Sequence, residues 1–216
     1  VNLLGIYNRI VGNVYGDTAP PASIPQRLKG RDGIISMVMR KTQEERNYWF
    51  MKREYQIPIV AGTKTYAFPA DVKELIAARY VLEDGGIVQA LSLRTGERYR
   101  MPDKEADYPR LYDIEGGALI LASSPLQDSV LFVNCWAYLP KPPDNTDAWD
   151  AHSDALTEFG SDVIINSASV EMAKLVHDFP MANFYLSETK RELDKLGRHN
   201  FSKIKPAPFG IEYNDF

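Results

Sequence analysis

The sequence predicts an α+β fold: a helical bundle built from the N- and C-terminal segments, an inserted antiparallel β-rich module, and an extended C-terminal arm. Three observations carry the prediction. Apolar residues recur three or four apart near both ends of the chain, as in Leu3, Ile6, Ile10 and Val14 and again in Leu186, Leu193 and Leu196. Between residues 55 and 139 the period changes to two, and glycine pairs punctuate the runs. After residue 198 the apolar residues lose helical spacing and prolines appear among them.

The segments divide accordingly into N-terminal helices of the bundle (1–54), the β-rich module (55–139), a linker and C-terminal helical pair (140–198) and the arm (199–216). The first helix is expected over 2–14, with Leu4, Tyr7 and Val11 widening its apolar stripe, and residues 17–25 read as a loop. A second helix is expected over 32–48, capped near Asp32 and presenting Ile34, Ile35, Val38 and Met39, with both Met37 and Met39 read as core. Tyr48, Trp49 and Phe50 anchor its end.

In the module, strands are expected over 55–60, 65–68, 74–83, 87–91, 110–115, 118–122 and 129–138, with a short helix over 92–100. The first two read as a hairpin about Gly62, and Gly85-Gly86 and Gly116-Gly117 supply the turn glycines of an antiparallel sheet. Pro140, Pro142 and Pro143 form a stiff linker. One helix is then expected over 154–179, and a second, carrying Ala182, Leu186, Thr189, Leu193 and Leu196, stops near Gly197 to complete an antiparallel hairpin.

The 216 residues can bury a substantial core. With 44% hydrophobic and 25% charged residues and no run of about 20 apolar residues, the composition is that of a soluble protein without a membrane span. The opening VNLLGIYNRIVGNVYG lacks a basic leader and reads as an amphipathic helix. Cys135 is the lone cysteine, which excludes an internal disulfide and a cysteine zinc site. A net charge of −4 argues against a surface devoted to nucleic acid, although a conduit that lets DNA slide also avoids tight phosphate contacts.

Candidate chemistry is sparse. His152, Asp154, Glu158 and Asp162 form the best constellation, since the three acids would line one helix face; at a helix start they read as a solvated row favoured by the dipole. His177 and His199 have no partner at metal spacing, and no G-x-S-x-G or Cys-His pattern is present. Gly62-Thr63-Lys64-Thr65 joins two strands, unlike a phosphate loop, which opens a helix. Arg94, Arg98, Tyr99 and Arg100 are the nearest approach to a phosphate-binding patch and fit a solvated helix or a salt-bridged surface equally. Neither catalytic, cofactor-binding nor metal residues are assigned. The arm is the candidate partner-binding element: Phe201, Ile204, Phe209, Ile211, Tyr213 and Phe216 suit an arm laid across a neighbour, with packing inside the chain or disorder as the alternative.

The stretch YWFMKREYQIPIVAGTKTYAFPADVKEL (48–75) runs from an aromatic helix end through two short strands to Pro69-Ala70-Asp71. It is followed by LYDIEGG (111–117), Ile120-Leu121, Ser124-Pro125 and Trp136-Ala137-Tyr138-Leu139-Pro140. This order resembles the head-to-tail connector (adaptor) proteins of tailed bacteriophages. The resemblance implies a non-enzymatic virion protein at the head-tail interface, made in the host cytoplasm. It further implies a ring of twelve copies below the portal that bind one another, the portal protein and a tail or nozzle protein, with genomic DNA passing through the channel unread. The tail after Arg198 is longer and more aromatic than that pattern requires. The alternatives are a tail-completion or other tail structural protein, and a tail-associated glycan hydrolase using Asp154 and Glu158.

Overall fold

Chain topology in the computed structural model, which describes residues 1–82, 86–92 and 105–203, is α+β. The chain divides into two compact units, Val1–Phe50 with Pro140–Phe216, and Met51–Leu139.

The first unit is helical. Its helices are α1 (Leu3–Tyr15), α2 (Ile24–Leu28), α3 (Ile34–Glu45), α4 (Thr146–Ala151), α5 (Ala155–Phe159), α6 (Ser161–Leu175) and α7 (Phe179–Lys203). Asn2 caps α1 through its side chain, which accepts from the Gly5 amide at 3.0 Å, and Leu3, Ile6 and Ile10 form the buried face. Helix α6 is the hub. It packs against α1, α3, α5 and α7, and Val163, Ile164, Ile165, Ala168, Val170 and Met172 are buried around its circumference. Polar ties add register: Asn13 Nδ2 donates to Ser169 Oγ at 3.2 Å, and the Tyr185 hydroxyl donates to the Asn13 carbonyl at 3.3 Å.

Several expectations for this unit are corrected. The second helix begins at Ile34 with Gly33, not Asp32, as its N-cap. Gly33 is required by close approach, because a Cβ there would stand 2.3 Å from the Lys29 carbonyl oxygen and 2.5 Å from that of Leu28. The expected loop runs to Ser23, where the short helix α2 takes over, and the proline linker is free of regular structure as expected; the short helix α4 follows it, started by Asn145, which accepts from the Asp147 and Ala148 amides. The single helix expected over 154–179 is broken at Gly160 into α5 and α6.

Gly197 does not stop α7, which continues to Lys203, so residues 199–203 are helical rather than extended. The glycine instead makes room for Arg46, whose Nη1 would lie 2.5 Å from a Cβ at that position. The extra turn delivers buried Asn200 to the aromatic segment: its Nδ2 donates to the Asn47 carbonyl at 2.8 Å and its Oδ1 accepts from the Trp49 amide at 2.7 Å. Trp49–Met51 there form one 3-10 turn.

The second unit carries β1 (Lys52–Ile59), β2 (Thr65–Ala67), β3 (Val72–Val81), β4 (Ile87–Ser92), β5 (Glu105–Ala106), β6 (Leu111–Glu115), β7 (Ala118–Leu121), β8 (Ser124–Pro125) and β9 (Ser129–Ala137). Seven form one sheet in the order β1-β9-β3-β4-β6-β7-β2, antiparallel except for the short β4–β6 pair, while β5 and β8 pair in parallel. The expected strand positions are observed. The hairpin about Gly62 is not, since β1 pairs with β9 and β2 with β7 at the opposite edge. A flat sheet of this width would separate its edges by about 29 Å, whereas the β1–β2 link spans at most about 20 Å. The sheet therefore curls, and Ile57, Tyr80, Tyr112, Leu119, Leu131 and Val133 from five strands share one core.

The link itself is held by side chains. The Tyr66 hydroxyl lies 2.6 Å from the Thr63 carbonyl oxygen and accepts from the Val60 amide at 3.1 Å. Asp128 accepts from the Ala61 amide at 2.8 Å. The predicted short helix over 92–100 lies outside the described residues apart from Ser92, which ends β4.

Two outcomes are expected. Gly33→Ala should destabilise the protein by about 1–3 kcal/mol in denaturant titration, because the added methyl meets backbone that cannot swing away. Tyr48, fully buried with no hydrogen-bond partner for its hydroxyl among the described residues, has its pKa pushed up from 10.0 to about 12, chiefly by burial. The folded state thus keeps the phenol protonated where the unfolded chain ionises, so its contribution to stability is whole below pH 10 and falls as the pH rises towards about 12. Tyr48→Phe should change stability at pH 7 by less than about 1 kcal/mol and shrink that alkaline loss, as read from melts across pH 8–12.

Candidate interaction surfaces

The acidic row is divided between two helices. Asp154 is the N-cap of α5 in a capping box with Thr157: its Oδ1 accepts from the Thr157 amide at 2.8 Å, and the Thr157 hydroxyl accepts from the Asp154 amide at 2.8 Å. Its Oδ2 lies 3.4 Å from His152 Nε2. Asp162, beyond the break at Gly160, pairs with Arg9 at 3.0 Å. Glu158 and Asp162 both line an open cleft with Phe159, Gly160, Glu192, Lys195 and His199, and Asp154 does not. In that cleft Lys195 donates to Glu192 at 2.6 Å and holds its carboxyl below the usual carboxylate range. No group of three His, Cys, Asp or Glu side chains among the described residues could hold a metal ion.

The remaining candidates have structural places. His199 packs edge-on to Trp49 at 4.9 Å, while His177 sits at φ 59° in the α6–α7 turn beside Phe179. Cys135 is fully buried in β9, and burial pushes its thiol pKa up. Gly62-Thr63-Lys64 lies in the β1–β2 link, away from any helix start. Arg94, Arg98, Tyr99 and Arg100 lie outside the described residues, as do Ile204, Phe209, Ile211, Tyr213 and Phe216 of the arm. Phe201 belongs to α7 and is removed from the extended arm.

The described residues form three apolar surfaces. In the helical unit, α3, α6 and α7 flank an open groove of about 300 Å³ with Val38, Val170 and Leu193 in it and Met37 and Leu186 exposed at 51% and 44%. Met39 is core as expected; Met37 is not. At the turn of the α6–α7 hairpin, Leu175, Val176, Phe179 and Phe184 are exposed, the two phenylalanines by more than half. In the β unit the face opposite the core carries Val81, Ile87 and Val130 exposed, with Phe132 among them. Beside that patch Arg79 pairs with Glu54 at 2.9 Å. Asn134, with its amide nitrogen turned to Glu54, bridges both partners.

The family model described as SU10 adaptor protein matches residues 8–202. The chain belongs to that family. The adaptor is a phage structural protein and a component of the virion, and membership implies interaction with portal or tail proteins. A comparison with curated proteins gave no match. The match takes in both units and ends at the last turn of α7, so the segment beyond Lys203 lies outside it. No described helix of the adaptor is long and apolar enough to cross a membrane.

Removing the α5 cap by Asp154→Ala should lower the adaptor's stability by about 1 kcal/mol, whereas Asp154→Asn, which keeps an accepting oxygen, should cost less than half of that. Thermal melts followed by circular dichroism distinguish the two; equal losses would show that the carboxylate charge matters and the cap does not.

Proposed function

We propose that this adaptor is the head-to-tail connector: it forms a ring below the portal, joins head to tail and surrounds the channel through which DNA leaves. The family match over residues 8–202 carries the reading, and the exposed apolar surfaces of the two units support it. The ring contains twelve copies, as the resemblance to connector proteins implies, and its partners are the portal protein, a tail or nozzle protein and neighbouring copies. The channel wall passes DNA without sequence readout, consistent with a net charge of −4. Its place is the head-tail interface of the virion. The hydrolase alternative pairs Asp154 with Glu158, and the engagement of Asp154 as the cap of α5, outside the cleft that Glu158 lines, speaks against it. The family description, which names an adaptor, favours the connector over a tail-completion protein.

In this reading the segment from Ile204 to Phe216, with Phe209, Ile211, Tyr213 and Phe216, is the contact arm. Burying each of those side chains yields about 1.5–3 kcal/mol before ordering costs of about 1–2 kcal/mol per residue. The net gain per subunit is small, so ring closure requires many such contacts held together by the portal.

Purified adaptor should be monomeric or weakly associated at micromolar concentration and become a ring only when portal is added, as read by mass measurement. A closed ring without portal would overturn templating, and failure to bind portal-containing heads would overturn the connector assignment. Truncation after Lys203 should leave a folded monomer, because Asn200 and its clamp on residues 47–49 are retained, yet abolish attachment to portal-containing heads.

A further inference from the structure

We draw no further inference here: the strongest candidate, the open apolar groove between α3, α6 and α7 with Met37 and Leu186 exposed in it, is lined by charges of both signs, Lys41, Lys174 and Lys190 with Glu45 and Glu171, and nothing in the structure shows what covers it.

Discussion

Burial of α6 on nearly every side is the constraint from which the helical unit follows. A helix carrying Val163, Ile164, Ile165, Val170 and Met172 around its circumference cannot lie on a surface, and it is covered only when α1, α3, α5 and α7 all surround it. Two of those helices come from the first fifty residues and two from the last third of the chain, so the core cannot close until the ends of the sequence meet. Ala168, Ser169 and Ala173 are small enough to let neighbouring helices approach, and Ser169 adds its bond to Asn13 of α1. The β unit fits between these pieces of sequence because its first and last strands pair antiparallel, with Lys52 opposite Trp136. Its entrance and exit are thus about 5 Å apart, and insertion asks little of the chain on either side.

What was legible in the sequence was whatever periodicity encodes. The strands of the module were placed to within a few residues because alternation marks a half-buried strand, and α1 because its stripe has helical spacing. Partner choice was not legible. Two strands separated by a glycine turn make a hairpin when the sheet is open, but in a curled sheet the same link passes between edges, and the bonds made by Tyr66 and Asp128 fix it there. Short helices were missed for a related reason: α2 and α4 are too brief to show a period, and only their local chemistry, a proline in the first turn of α2 and Asn145 before α4, marks them. Gly197 misled because glycine commonly ends helices; here close approach of Arg46 is the operative requirement, and the sequence does not record it.

The interaction surfaces were hidden for a different reason. Met37, Phe179 and Leu186 have the composition and spacing of core residues, and only packing reveals that no neighbour in their unit covers them. One signal was available in β9, where Val130 and Phe132 alternate with Leu131 and Val133 so that both faces of the strand are apolar. A strand apolar on both faces belongs to a sheet covered on both sides, and the curled core accounts for one. The acids misled in the opposite sense. Their regular spacing suggested a common face, but spacing has structural meaning only within one helix, and the break at Gly160 puts Asp162 on a different helix from Glu158.

The distribution of apolar surface also bears on how a connector avoids assembling too early. A single large hydrophobic face would drive self-association of the free subunit, whereas patches on separate units, each of a few side chains, leave every pairwise contact weak. Weak contacts become decisive only when several are made together, and a symmetric platform provides that by holding copies at high effective concentration. On this argument the exposed Phe179, Phe184, Ile87 and Val130 are not defects of packing. In the proposed connector, patches of modest individual size would keep contacts between free subunits weak, and their number would let them add up in an assembled ring.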